Sequence, residues 1–405
     1  MRRRKFLTAA GLTMGSMLVP IGSNSWVAKQ AHTNNRKRLV VVLMRGAVDG
    51  LNVVVPHQAA EYYKARPTIA VPYPQEKNGV LDLNGYFGLH PMLKDLMPLW
   101  NRQQLAFVHA SGSPVLERSH FQAQQYIENG TPGNKKTEDG WMNRLFAQLP
   151  PDRPTQAVNV GNTTPYILKG EMSVASLKPG RDSAAPIPTD RLPVREAFNQ
   201  LYNGSDALSK AYQEGSKARD IVLAELNKEM MMASKGAKKV DVFVDDAAEV
   251  AQLMVGDAKT QLAFMEIGGW DSHINQNFLL DRQLPSLGEG LATLVSGLEP
   301  ILNDTVIVVM SEFGRTFEEN GNKGTDHGYG NVMLLLGGGI KGGNVFGNWL
   351  GLNPSALHKN RDLPVTTDFR DVLTPIITQH LSIPSDRLKQ IFPGYQPLNQ
   401  INFLT

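Results

Sequence analysis

The sequence predicts an α/β fold, a mostly parallel central sheet flanked by helices. Short runs rich in Val, Leu and Ile recur along the chain, and longer segments of helical periodicity lie between them. That alternation is the mark of strands joined by helical crossovers, which cover the sheet. A length of 405 residues with 41% hydrophobic content is ample for the core such a sheet needs.

The elements follow in order. Strands are predicted at RLVVVLM (38–44), LAFVHA (105–110), QAVNVG (156–161), TQLAFMEI (260–267), DTVIVVMS (304–311) and NVMLLLGG (331–338). Helices are predicted around 90–103, 120–129, 141–148, 278–303 and 369–381. The fourth carries Leu279, Leu280, Leu284, Leu287, Leu291, Leu294 and Leu298 at helical spacing, and Pro285 is expected to bend its first turns. Residues 162–245 read differently: a Pro-rich loop, SLKPGRDSAAPIPTDRLP, precedes a polar, lysine-rich helical stretch. They are expected to form an insertion in a domain spanning 38–395, either a cap over its active face or a linker with one solvated helix.

The N-terminus, MRRRKFLTAAGLTMGSMLVPIG, sets a charged head before a weakly apolar stretch from Phe6 to Ile21. This is a signal-peptide layout, and Arg3-Arg4-Lys5-Phe6-Leu7 resembles the twin-arginine export signal. Residues 1–28 are the expected signal, the export machinery the expected partner, and the periplasm or another exported location the destination. No other stretch approaches the roughly 18 apolar residues of a membrane span, so no stable membrane anchor is expected. Residues 1–38 hold eight basic residues and no acid; beyond them 33 basic residues face 38 acidic ones. The body therefore offers no electrostatic case for nucleic acid. There is no cysteine, which excludes disulfides, thiolate metal sites and iron–sulfur clusters.

In open α/β sheets ligands bind beyond the carboxyl ends of the strands, and the chemically active residues fall there. RLVVVLMRGAVDGLN leads into Arg45 and Asp49. LAFVHASGSPVLERSHF passes His109 into Arg118, Ser119 and His120. MEIGGWDSH brings Asp271 and His273, VVMSEFGRT brings Glu312 and Arg315, and KGTDHGYGN brings Asp326 and His327 just before a strand. Asp271 and His273, two apart in extended chain, would share a face. Clustered carboxylates are costly to desolvate without cations, so the set implies metal or an arginine cage. Oxygen and imidazole ligands without sulfur suit zinc, manganese or magnesium, one ion or two.

Duller readings stand beside each of these. Ser119 is also a good helix N-cap, Asp49 before Gly50 a turn residue, Glu312 with Arg315 an ordinary ion pair, and Asp326 a turn in a Gly-rich loop. His109 and His120 read as supporting rather than ligating histidines.

The motifs MRGAVDGLN, RSHF, GWDSH, SEFGRT, TDHGYGN and TTDFRDVLTPII together resemble the DUF1501 family, twin-arginine-exported bacterial proteins related to sulfatases and alkaline phosphatases. The resemblance implies an alkaline-phosphatase-like fold with a bimetal site and a hydroxyl nucleophile. Ser119 stands at the nucleophile position, and Asp49, Asp271, His273, Glu312, Asp326 and His327 at or near metal positions. Phe313 replaces a histidine that the wider superfamily uses for the second ion. Arg45, Arg118 and Arg315 are candidates to hold the anionic oxygens of a small ester substrate, with His109 and His120 in support. The C/S-x-P-x-R pattern of sulfatases is missing, which favours phosphate-type esters over sulfate. Two other classes stay open: an exported protein that keeps the fold without catalysis, and a metal-dependent carbohydrate or peptidoglycan binder.

Overall fold

Every residue of the first strand, β1 (Arg38–Met44), is buried, and its side chains divide between two cores. Val40, Val42 and Met44 face one cluster, Leu39, Val41 and Leu43 the other. The period-two alternation of a strand gives both faces apolar contacts, so the strand must lie inside a covered sheet. The computed structural model describes residues 36–405 apart from 153, 162, 178–187, 191, 234–241 and 257–259. The signal-like segment at 1–28 lies outside the described residues.

The remaining strands of the main sheet are β2 (Leu105–Gly112), β3 (Ala157–Val160), β4 (Ala175–Leu177), β5 (Leu262–Ile267), β6 (Thr305–Ser311), β7 (Asn331–Gly337), β8 (Asn344–Phe346) and β9 (Thr367–Asp368). Their spatial order is β8-β2-β7-β6-β1-β5-β3-β4, with β9 beside β2. Pairing is parallel throughout except at β7, which runs antiparallel to both β6 and β2. The expected mostly parallel sheet is the observed one.

Helices α1 (His120–Asn129), α2 (Trp141–Phe146), α3 (Leu192–Leu201), α4 (Ala207–Ala233), α5 (Val242–Val255), α6 (Gln276–Gly297) and α7 (Phe369–Pro375) are accompanied by four short ones, Gly50–Val53, Ala60–Ala65, Met97–Asn101 and Leu388–Ile391. Leu280, Leu284, Leu287, Leu291 and Leu294 of α6 pack with Phe243, Val250 and Leu253 of α5 on one face of the sheet. Trp141, Leu145, Phe369 and Val372 cover the other. Helix α6 runs through Pro285 as one helix, with Leu284 and Leu287 on either side of the proline buried. Within the 162–245 excursion, β4 joins the sheet as an edge strand beside β3, whereas α3 buries none of its residues. Among the described residues no helix is long and apolar enough to cross a membrane.

Register decides where the chemistry goes. Met44 lies opposite Ile267 on one side and Ser311 on the other, so β1, β5 and β6 end at one level. Strand β2 runs on toward α1 from its Gly112 end, and antiparallel β7 begins where its parallel neighbours finish. Segments 45–49, 113–120, 268–273, 312–316 and 324–330 therefore meet at one edge.

Candidate metal centre

Three imidazoles converge at that edge. Nε2 of His327 lies 3.0 Å from Nε2 of His120 and 2.9 Å from Nε2 of His273. Oδ1 of Asp271 sits 3.7 Å from His120 Nε2, 3.2 Å from His273 Nε2 and 3.5 Å from His327 Nε2. A tetrahedral ion with bonds of about 2.0–2.1 Å has ligand–ligand edges of about 3.3–3.4 Å. The observed separations bracket that edge.

The other ring nitrogen of each histidine is already assigned. His327 Nδ1 faces the carbonyl of Arg118 at 2.8 Å, an acceptor only, so that nitrogen carries the proton. His120 Nδ1 donates to Glu312 Oε1 at 2.8 Å, and His273 Nδ1 to Asp326 Oδ1 at 3.1 Å. In the neutral rings the Nε2 atoms of His120 and His273 then each present a lone pair to that of His327. A single proton could bridge one pair, but not join His327 to both neighbours. One divalent cation satisfies all three, and acceptors on the far nitrogen are the usual means of orienting metal-bound histidines. The donor set fits a metal.

The two carboxylates behind the rings are poised as acceptors. Burial, the largest influence on Glu312, would raise its carboxyl; bonds from His120, Gln124, its own N–H and Gly46 outweigh it and hold the group below its ordinary value. For Asp326 burial likewise raises, and Asn320 and His273 prevail in lowering. Asp271 is raised by burial but lowered more by Arg315, His273 and His120. His327 is pushed down, first by burial and then by the charge of Arg315 and neighbouring His120.

Local chain geometry explains the convergence. Trp270, fully buried, anchors the segment after β5, its Nε1 bonded to the Ile267 carbonyl at 2.9 Å. Gly46, at φ +116°, lets the loop after β1 press against it; a Cβ there would stand 2.8 Å from the Asp271 nitrogen. Arg315 and His327 form an antiparallel bridge, possible because a side chain at Gly328 would strike the Arg315 carbonyl at 2.4 Å. Phe313 is buried with its ring centre 4.9 Å from those of both His120 and His327, forming an apolar wall.

The sequence-derived candidates divide. Asp271, His273 and His327 come together, and His120, expected in support, stands among them; the ligand atoms of His120, Asp271 and His327 all lie within 4.8 Å of one another. Glu312 and Asp326 reach the centre through the imidazoles, not directly. Asp49 is not in the group: it is buried against Arg66, with Oδ2 also accepting from Gln276 Nε2 at 2.6 Å. Its carboxylate answers a buried guanidinium. His109 is apart as well, bonded to the Val54 carbonyl at 2.9 Å and held near a pKa of about 4 by burial. Ser119 occupies the N-cap position of α1 without a side-chain capping bond, directly before His120. Of the arginines, Arg45 is bound to Glu128, Glu266 and Gln124. Arg315 is buried on the carbonyls of Ala47, Gly46, Trp270 and Thr325 and on Asp271. Arg118 meets Asp362 and stacks 4.4 Å from the Tyr329 ring centre. Gln124, which bonds Glu312 at 2.9 Å, was not singled out from sequence, although its place four residues after His120 puts it on the same helix face.

Comparison with known proteins gives a family and distant folds. The family described as "Protein of unknown function (DUF1501)" matches residues 36–392. No curated protein matches. Among solved structures, a protein in the alkaline phosphatase superfamily from Vibrio parahaemolyticus aligns at TM-score 0.31 and 11% identity, over 75% of this chain and 60% of that one. The C-terminal periplasmic domain of EcEptC from Escherichia coli, in complex with zinc, gives 0.35 and 10% over 76% and 74%. A sulfatase from Pseudoalteromonas sp. gives 0.39 and 10% over 87% and 68%. Likeness of that degree says nothing about activity.

Proposed function

The chain belongs to the DUF1501 family, and from that starting point we propose an exported, metal-dependent hydrolase of small anionic esters, phosphate-type rather than sulfate. The observation that carries the reading is the meeting of three imidazole Nε2 atoms at 2.9 and 3.0 Å, each ring fixed by an acceptor on Nδ1. The centre is also open. The side chains of His120 and His327 are about a quarter exposed and that of Asp271 half exposed, so a ligand can reach them from solvent.

His120, His327 and Asp271, the last set by Arg315, would hold the ion, zinc before manganese or magnesium on ligand type, with His273 2.9 Å from His327 as a further ligand. A bound divalent ion supplies Lewis acidity toward a phosphoryl oxygen and a nucleophile at neutral pH. Glu312, Asp326 and the Arg118 carbonyl keep the three rings in the metal-ready tautomer. Ser119, with no capping bond to hold its hydroxyl, is the residue assigned to attack. One ion is favoured over two, because Asp49 is engaged by Arg66 and Gln276, and Glu312 by His120, Gln124, Gly46 and Ser311. Residues 1–28 would direct the folded, loaded protein through the twin-arginine route.

Purified protein should contain about one zinc per chain and cleave an aryl phosphate, with turnover lost in Ser119→Ala and metal retained. Metal without turnover on phosphate monoesters, diesters and sulfate esters would instead establish a binding protein. The engagement of Arg45 and Arg315 by protein groups is the feature that favours that second reading.

A further inference from the structure

Arginine donors are distributed unequally around the centre. Arg45 donates through Nε and Nη1 to two carboxylates and an amide, and buried Arg315 to backbone carbonyls and Asp271. Arg118 and Arg361 differ. Both guanidinium groups converge on a single oxygen, Oδ2 of Asp362, whose carboxylate is wholly buried. The two arginine side chains are 39% and 40% exposed. One oxygen cannot accept all the N–H groups of two five-donor forks, and Arg118 Nε is buried without a partner.

The pair is tied to the metal centre through His327. Arg118 supplies the carbonyl that accepts from His327 Nδ1, and Arg361 Nη2 donates to the His327 carbonyl at 3.4 Å. Tyr329 holds the Arg118 guanidinium in plane, a contact that favours a fixed orientation. Asp362 is itself immobilised: its N–H and carbonyl both pair with His358, and it bridges to Thr316. Asp326 is the nearby competitor for the charge of Arg361, but its Oδ1 accepts from His273 and Asn320.

We propose that Arg361, coupled to Arg118 through Asp362, is the anion-recognition element of this site, binding oxygens of a phosphate-type group presented to the three histidines. The assignment rests on the metal-centre reading above and names a residue that the sequence did not single out. Guanidinium forks match phosphate oxygens in geometry and charge, whereas a neutral metal-directed ligand needs neither.

The test uses zinc-loaded full-length protein and two probes, inorganic phosphate and imidazole, a neutral zinc ligand, titrated by calorimetry. Arg361→Gln should weaken phosphate by about tenfold or more, the usual consequence of deleting a charged hydrogen bond. Imidazole should bind within about twofold of wild type, with zinc content unchanged, and Arg361→Lys should recover part of the phosphate affinity. The assignment falls if wild-type protein binds no phosphate with or without zinc, if Arg361→Gln binds it normally, or if both probes weaken together. Arg361-dependent phosphate binding in a protein that cleaves no ester would sink the hydrolase reading alone.

Discussion

His120 and His327 stand Nε2 to Nε2 at 3.0 Å, and each has its Nδ1 proton committed elsewhere, one to the buried Glu312 and one to a backbone carbonyl. A cation between them would relieve the repulsion of those facing lone pairs. The pairing also joins the start of α1 to the segment entering antiparallel β7, so metal occupancy would cross-link two loops 207 residues apart in sequence.

Stability should therefore depend on metal. With zinc at about 100 times its Kd, the folded state gains about 2.7 kcal/mol by mass action. A chelator should lower the thermal midpoint of wild-type protein and leave His327→Gln unmoved. An equal chelator response in both proteins would place the bound metal elsewhere.

Glu312 offers a subtler test. Replacement by Gln keeps the volume but removes the ionised acceptor of His120, and loss of such an orienting group typically costs about 10–100-fold in metal affinity. Competition against a chromophoric chelator should show weaker zinc binding with unchanged stoichiometry. A direct ligand would instead be revealed by a lost equivalent of metal.

How far the sequence reached can be read from these residues. The strands were visible because β1, β5, β6 and β7 are apolar on both faces, and their shared edge followed from parallel pairing. GWDSH announced Asp271 and His273, found 3.2 Å apart. That His120 brings its Nε2 to 3.0 Å from that of His327 was not legible, because nothing in RSHF says which way a residue at a helix start will turn. The pairing of Asp49 with Arg66 was not legible, because Arg66 lies in YYKARPT, which carries no motif. Arg361 and Asp362 arrive from a loop with no periodicity, and only tertiary folding carries them to His327.

The Asp49–Arg66 pair makes a separable prediction. Both side chains are fully buried, and removing one partner of such a pair leaves an uncompensated charge at a cost of about 3–5 kcal/mol. Asp49→Ala should shift the urea midpoint by that equivalent while the surviving folded protein binds zinc with wild-type stoichiometry. Loss of a zinc equivalent in folded Asp49→Ala would return Asp49 to the metal.

Two histidines outside the centre set an acid limit. Burial lowers both His90 and His109 to about 4, against 6.5 in an unfolded chain. The unfolded chain takes up these protons first as pH falls, so their stabilising effect is complete above about 6.5, declines through the interval and is gone near 4. Each contributes about 3 kcal/mol to that decline. Chemical denaturation of metal-free protein between pH 7 and 4 should show the slope, and His109→Gln should lose its share of it, whatever its stability at pH 7. An identical pH slope in wild type and His109→Gln would mean that His109 does not stay neutral in the fold.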